Sequence, residues 1–366
     1  MRIALLTYST RARGGVVHTL ALAEALAARG HDVHVWSLAR GGDGAFFRPV
    51  DPAVTVRLVP FPDRPGEDVG ERIVRSIDVL GCAFAAAHES YDVVHAQDCI
   101  SANAVPTCVR TVHHLDTFTT PALAACHERA IVRPSAHVCV SAAVAGELRA
   151  GWGIEATVIP NGVDAAAFGA GAADVAGRAA WAGRVGRYVL AVGGIEPRKG
   201  SLDLIDAMAL VQRRIPGLTL AVAGGETLFD YREYRAQVLR RIEQLGVAVE
   251  LLGPVAQADL PSLVAQADAF AFPSVKEGFG LAAMEALAAG VPVVMRDLPV
   301  LREVFGDTVR FAADVPGLAC EVLASVAQPD PQRVIAGRRL AEAHTWDAAA
   351  RAHEHFYLAS RVGLGA

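Results

Sequence analysis

Short apolar runs alternate with longer amphipathic stretches along almost the whole chain. The first half contains the runs RIALLTY, DVHVWSL, DVVHAQ and ATVIP, and the second half contains YVLAVGG, LTLAVAGG, DAFAFPS and PVVMRD. Short apolar runs that alternate with helical segments are typical of parallel sheets covered by helices on both faces. We therefore predict an α/β protein of two doubly wound domains facing a cleft, with ligands at the carboxyl ends of the strands.

The two series of strands also predict the domain boundaries. Residues 1–165 form the first domain and residues 187–345 the second. Residues 166–186 are rich in glycine and alanine and lack strong periodicity, so we interpret them as a linker. The tail from Trp346 to Tyr357 has helical apolar spacing, and it either caps the second domain or returns to the first.

Composition excludes several classes of protein. The net charge of −5 over 366 residues is not the excess of positive charge that is typical of nucleic-acid-binding proteins. The six cysteines include no CxxC pair, so we interpret them as reduced thiols. The N-terminal sequence does not resemble a signal peptide, and no apolar run reaches the roughly 18 residues of a membrane span. We therefore expect a cytoplasmic protein that is at most peripheral on a membrane.

One carboxylate is unusual in the segment PSVKEGFGLAAMEALAAG. Glu285 lies in a predicted helix of otherwise apolar and small residues, and a buried carboxylate needs polar partners. The helix should begin near Phe279, so the N–H groups of Gly280 and Leu281 are first-turn donors suited to a phosphate. Two ribose hydroxyls would satisfy Glu285 if the attached diphosphate lay at this terminus. The alternative is an ion pair between Glu285 and a neighbouring Arg or Lys.

Two cations follow the predicted strand at residues 188–192. The strand ends in a glycine pair, and Arg198 and Lys199 then precede a helix that should begin near Ser201. Arg198 can bind two oxygens at once, and Lys199 adds a point charge, so the pair favours a dianionic group. The alternative is a solvated surface turn.

The first domain carries weaker signals. Gly14 and Gly15 allow the backbone to approach a ligand closely, but their segment is not a GxGxxG motif and is equally consistent with a flexible loop. Adjacent His113 and His114 point to opposite sides, so we do not expect them to form one metal site. The chain has no DxD motif, P-loop or GxSxG motif, so we expect no bound metal, no P-loop NTPase and no α/β-hydrolase.

The motifs together resemble a known family. FPSVKEGFGLAAMEALAAGVPVV is similar to the EGFG, E-x7-E and G-x-PVV signature of family 4 retaining glycosyltransferases with the GT-B fold, and GGVVHTLALAEALAARGHDVHVW, CVSAAVAGEL, IPNGVDAAAF and AVGGIEPRKGSLDLIDA follow the family order. The resemblance implies two Rossmann-like domains, with residues 346–366 returning to the first. It also implies metal-independent, cofactor-free transfer from a nucleotide diphosphate sugar, UDP- or GDP-linked, to an acceptor hydroxyl of unspecified class.

The resemblance further implies roles for individual residues. Arg198 and Lys199 would contact the donor diphosphate, and Glu285 the ribose hydroxyls. Glu277 would bind hydroxyls of the donor sugar, and His113 would contact the transferred sugar. The other implied donor-binding positions are mainly glycines and backbone groups around these side chains, with the backbone near Val255 holding the base: Gly15, Gly194, Val255, Gly278, Phe279, Gly280 and Leu281.

Three other functions remain open at the level of sequence. A nucleotide-sugar epimerase or a non-catalytic nucleotide-sugar binder would share the two-domain shape. An NAD-dependent oxidoreductase is a further alternative, because the segment 278–283 formally matches GxGxxA and Asp297 ends the next strand. Against it, Glu277 directly precedes the first glycine, next to where a pyrophosphate would lie.

Overall fold

The chain folds into two compact units. The computed structural model describes residues 1–116, 118, 121–225 and 231–363. The first unit contains Met1–Gly162 together with the chain from Trp346 onward, and the second contains Val163–Thr345. Among the described helices, none combines the length and the apolar content needed to cross a bilayer.

A seven-stranded parallel sheet forms the centre of the first unit. Its strand order is β3-β2-β1-β4-β5-β6-β7, so the order reverses between β1 and β4. The inner strands are mostly buried because helices cover both faces, whereas the edge strands β3 and β7 are partly exposed. The strands are β1 (Arg2–Thr7), β2 (Asp32–Arg40), β3 (Val54–Phe61), β4 (Val93–Ala96), β5 (Val109–Val112), β6 (Ala136–Cys139) and β7 (Thr157–Val158).

Helices of this unit lie against both faces, and the last helix of the chain is one of them. They are α1 (Gly14–Ala28), α2 (Val69–Ala86), α3 (Cys99–Ala104), α4 (Pro121–Val132), α5 (Ala142–Trp152) and α15 (Trp346–Gly363). Helix α15 packs against α1, and its Ala350 and Tyr357 are buried in the same apolar core as Leu20 and Leu22 of α1. This confirms the expectation that the C-terminal helix returns to the first unit.

The second unit is built on a six-stranded parallel sheet. Its strand order is β10-β9-β8-β11-β12-β13, so the order reverses between β8 and β11. The strands are β8 (Arg187–Val192), β9 (Leu218–Ala223), β10 (Val249–Gly253), β11 (Ala269–Phe272), β12 (Val293–Arg296) and β13 (Arg310–Ala312). The helices are α6 (Ala165–Ala173), α7 (Val175–Val185), α8 (Ser201–Gln212), α9 (Arg232–Leu245), α10 (Leu260–Gln266), α11 (Leu281–Ala288), α12 (Pro299–Phe305), α13 (Val315–Ala327) and α14 (Pro331–Ala343). The α/β prediction of two doubly wound domains is thus confirmed.

The interpretation of residues 166–186 as a linker needs correction. These residues form most of α6 and α7, which pack on α10 within the second unit. Alanine has the highest helix propensity, and the side chains of Asp164 and Asp174 cap the two helices. Gly171 lets α6 approach α10 so closely that a Cβ there would overlap the backbone of Pro261. The face of α6 that contacts α10 therefore depends on a glycine, and the pattern of apolar residues does not indicate such a contact.

Candidate functional site

Two loops meet at the carboxyl edge of the second sheet, where its strand order reverses. The loop after β8 contains a short 3-10 helix, Pro197–Lys199, and the loop after β11 leads into α11. The N–H of Val275 donates to the carbonyl of Arg198 at 2.9 Å, and Nη1 of Arg198 donates to the carbonyl of Lys276 at 3.3 Å. Open α/β sheets bind ligands at such a reversal.

Gly200 permits the close approach of these loops. It has a φ of 65°, and a Cβ at this position would overlap the carbonyl oxygen of Pro273. A side chain at Gly200 would therefore push the two loops apart, in addition to straining the backbone.

We predict that Gly200→Ala lowers the free energy of unfolding more than a matched glycine substitution. The control is Gly246→Ala, because Gly246 has a φ of 62° and a Cβ there would meet no atom within 4 Å. Gly246→Ala should lower the free energy of unfolding by about 1 kcal/mol, because alanine is strained in the left-handed conformation. Gly200→Ala should lower the free energy of unfolding by about 1–3 kcal/mol more than this control, because the added Cβ overpacks the contact between the two loops. Urea denaturation measures both, and equal losses would contradict the close approach.

Arg198, Lys199 and Glu277 form one ionic cluster. Oε2 of Glu277 lies 2.9 Å from Nζ of Lys199 and 3.4 Å from Nη1 of Arg198. Nη2 of Arg198 also lies 2.8 Å from Oε1 of Glu196. The three predicted residues are thus brought together, and the surface-turn alternative for the cations does not hold because their side chains are only 25% and 21% exposed.

Glu196 is a member of this cluster that sequence analysis missed. Its side chain is 16% exposed, and it balances the charge of Arg198. The available signal was its place in IEPRKG, two residues before Arg198. That signal is weak, because an acidic residue near two basic ones is common at protein surfaces.

Helix α11 begins at Leu281, two residues later than predicted. Its N-cap, Gly280, has a φ of 99°, which ends the preceding loop in the left-handed region. Gly280 has no side chain to cap this terminus, and no capping side chain is found within the described residues, so its first-turn N–H groups remain suited to an anion. Phe279 is buried at 3% exposure, with its ring 5.9 Å from that of His344, and the N–H of Gly278 donates to Oε1 of Glu277 at 3.3 Å.

Glu285 pairs with no basic side chain of the described residues. Within the described part of the chain, its carboxylate forms neither an ion pair nor a hydrogen bond with another residue. Although the side chain is only half-buried, burial of its carboxyl raises the pKa to about 8, and the charge of Asp164 adds to this shift. Asp164 itself caps α6 by accepting from the N–H of Ala167 at 2.9 Å. The expected alternative of a salt bridge to Glu285 is therefore wrong.

The pocket beside the cluster is mainly apolar. It extends from the carboxyl ends of β8 and β11 down to apolar residues of α9, and Gly194, Lys199 and Ser274 are among its lining residues. Val255 follows β10 and is not among the described residues that line this pocket. The structure thus groups Gly194 with Lys199, while the base-binding role of Val255 remains a prediction.

In the first unit, His113 lies directly after β5 and beside Gly15. A Cβ on Gly15 would stand 3.7 Å from Nε2 of His113. This Nε2 is buried and has no hydrogen-bond partner within the described residues, and burial lowers the pKa of His113 well below its ordinary value. His114 instead pairs with Asp116, its Nε2 lying 3.2 Å from Oδ2. The two histidines therefore have different surroundings.

Comparisons with known proteins cover both units. The model "Glycosyltransferase Family 4" matches residues 12–167, and "Glycosyl transferases group 1" matches residues 185–328. The chain is 32% identical to glycogen synthase of Mycobacterium tuberculosis, over 94% of this chain and 91% of that protein. It is 30% identical to phosphatidyl-myo-inositol mannosyltransferase of the same organism, over 84% and 80%. The structure of Anabaena HepE with UDP-glucose superposes with a TM-score of 0.79 at 20% identity, over 98% and 100% of the two chains.

Proposed function

Because this chain belongs to the family 4 glycosyltransferases and has their GT-B fold, we propose that it moves a sugar from a UDP- or GDP-sugar to an acceptor hydroxyl. We further propose that the anomeric configuration is retained and that no metal takes part. The observation that carries the proposal is the unpaired carboxylate of Glu285. It follows an uncapped helix terminus at the strand reversal of the second unit, where Arg198 and Lys199 also lie.

In this proposal, Glu285 recognises the ribose. Two vicinal hydroxyls donate to its carboxylate, which lacks any other donor among the described residues. Hydrogen bonds to a charged acceptor are stronger than those between neutral groups. The diphosphate then lies at the first turn of α11, where free N–H groups and the helix dipole favour negative charge.

Arg198 and Lys199 stabilise the leaving diphosphate. Cleavage of the anomeric bond adds negative charge to the leaving oxygen, so cations held beside it lower the barrier. Glu196 and Glu277 balance these cations before the donor binds. With the donor in place, Glu277 accepts hydrogen bonds from hydroxyls of the sugar.

Acceptor activation needs no dedicated protein base in this account. The acceptor attacks the face that the diphosphate leaves, and a departing phosphate oxygen takes the acceptor proton. His113 is neutral because of its lowered pKa, so it contacts the transferred sugar as a hydrogen-bonding group. Val255 and Gly15 contribute backbone contacts to the base and the diphosphate.

A donor screen followed by product analysis tests the function. UDP, GDP and ADP sugars are added separately, and binding of the correct donor raises the melting temperature. Wild-type protein is then incubated with that donor and an acceptor panel of sugars, inositol and phosphatidylinositol. A glycosylated product with the donor's anomeric configuration is expected. An isomerised donor would support an epimerase, and transfer with inversion would contradict retention.

Nucleotide affinity should depend on pH through Glu285. Its pKa is about 8 in the free protein, and the ribose hydroxyls favour the ionised form. Binding should therefore release a proton near pH 7, and affinity should rise as pH increases from 6 to about 8. Isothermal titration calorimetry in buffers of different ionisation enthalpy measures this release. Glu285→Gln should abolish it, and an unchanged proton release in that variant would assign the effect to another group.

A further inference from the structure

Gln97 is a buried amide without a hydrogen-bond partner at the carboxyl edge of the first sheet. It is 1% exposed, and neither Nε2 nor Oε1 meets a partner within the described residues. Its backbone N–H donates to the carbonyl of Leu6 at 3.0 Å, which fixes the residue between β1 and β4, where the strand order reverses. Burying an unsatisfied amide costs free energy, and this edge is where doubly wound sheets bind ligands.

His113 offers a second unsatisfied polar group on the same face. Nε2 of His95 lies 2.7 Å from Oγ1 of Thr111, so these two side chains share one face of the sheet. Gln97 and His113 each follow one of them by two residues, one position beyond the end of β4 and β5. Continued alternation assigns both to that face, and the ring of His113 indeed lies beside that of His18 in α1. Nε2 of His113 is also buried without a partner among the described residues.

His18 of α1 adds a third group. Its ring centroid lies 4.8 Å from that of His113, and its Nδ1 lies 2.8 Å from Oδ1 of Asn161. Because this amide oxygen only accepts, Nδ1 carries the hydrogen, which leaves Nε2 of His18 as a bare acceptor. This Nε2 is buried and unpaired within the described residues. A Cβ on Gly14, at the start of α1, would meet no atom within 4 Å, so open space borders this end of the helix.

The unsatisfied groups on this face are electrically neutral. Burial lowers the pKa of both His18 and His113 well below the ordinary value. Arg110 alternates with Thr111 along β5, so its side chain starts from the other face, and its Nη2 lies 3.5 Å from Sγ of Cys99. After burial, its charge is the next cause of the lowered pKa of His113. A neutral ligand that both donates and accepts hydrogen bonds fits the unsatisfied groups of this face.

We propose that Gln97 is a specificity-determining residue that binds a vicinal diol of a neutral polyhydroxylated ring, a sugar or a cyclitol, as part of the acceptor site. Oε1 accepts from one hydroxyl and Nε2 donates to the next, while Nε2 of His18 accepts from a third. This inference rests on the proposed function, since an acceptor hydroxyl is what a glycosyltransferase must hold.

Saturation-transfer NMR with D-glucose, D-mannose and myo-inositol tests the proposal on the full-length protein. Wild type should show transfer to at least one of the three, and the ring that responds separates sugar from cyclitol. Tetrahydropyran-2-methanol, which has a similar ring but no vicinal diol, should show none. Gln97→Leu, which keeps the size but removes both polar atoms, should weaken binding of the responding ring about tenfold.

Thermal denaturation of the same variant separates binding from a structural role. Because Gln97→Leu removes an unsatisfied buried amide, it should raise the melting temperature of the free protein by about 2–4 °C. A lower melting temperature, or undiminished polyol binding by Gln97→Leu, would overturn the proposal. So would the absence of polyol binding by wild type. UDP and GDP affinities should be unchanged in the variant, and failure of wild type to bind either nucleotide would instead count against the donor proposal.

Discussion

Replacement of Glu285 by Gln should reduce the affinity for the donor nucleotide by about 10²-fold, because two hydrogen bonds to a charged acceptor are weakened. The same change should stabilise the free protein at pH 8. In the folded protein the pKa of Glu285 rises from 4.5 to about 8, so wild type loses stability as pH increases between these values. Gln carries no charge and avoids this loss. Calorimetric titration with UDP and GDP and thermal denaturation at pH 5 and pH 8 measure the two effects.

Glu243→Gln is the matched control for this substitution. Glu243 is an exposed residue near the end of α9, so its replacement should leave both nucleotide affinity and stability nearly unchanged. Full nucleotide affinity in Glu285→Gln would contradict the ribose role. A variant that binds weakly and is also less stable than wild type at pH 8 would indicate that Glu285 supports the fold.

Lys199→Ala should lower kcat by about 10²–10³-fold, because a preorganised charge beside the leaving oxygen is removed. The loss should be the same with and without EDTA, since the cation replaces a metal in this account. Initial rates at saturating donor measure the effect. Arg214→Ala is the control, because Arg214 is exposed beyond the far end of α8.

Two results would contradict the role of Lys199. One is a kcat of Lys199→Ala close to that of wild type, which would show that Lys199 does not stabilise the transition state. The other is inactivation of wild type by EDTA with recovery on addition of Mg²⁺ or Mn²⁺, which would show that a metal neutralises the diphosphate.

The ion pair between Lys199 and Glu277 also leads us to expect that Lys199→Arg lowers kcat less than Lys199→Ala does.

The sequence predicted the parts of the molecule that depend on local pattern. Apolar runs identified both parallel sheets, and an apolar helix around one carboxylate identified Glu285. Helix α8 begins at Ser201, as its position after the Arg198–Lys199 pair indicated. These features were accessible because burial of strands and helix termini leaves a periodic signal within a few residues.

Features that depend on contacts between distant residues were not predictable. The packing of α6 on α10 uses Gly171, which carries no apolar signal. The pairing of Glu277 with Lys199 joins residues 78 positions apart, and nothing near either residue specifies it. The unsatisfied amide of Gln97 is visible only once its neighbours are placed, because burial and the lack of a partner are properties of the folded chain.

A double-mutant cycle between Glu285 and the ribose hydroxyls tests the central claim most directly. The affinities of wild type and Glu285→Gln are measured for the preferred nucleoside diphosphate and for its 2′,3′-dideoxy analogue. If the hydroxyls bind this carboxylate, wild type should bind the analogue about 10²-fold more weakly than the parent nucleotide. Glu285→Gln should bind the two nucleotides with almost equal affinity. An equal loss of affinity for the analogue in both proteins would show that the ribose hydroxyls bind elsewhere.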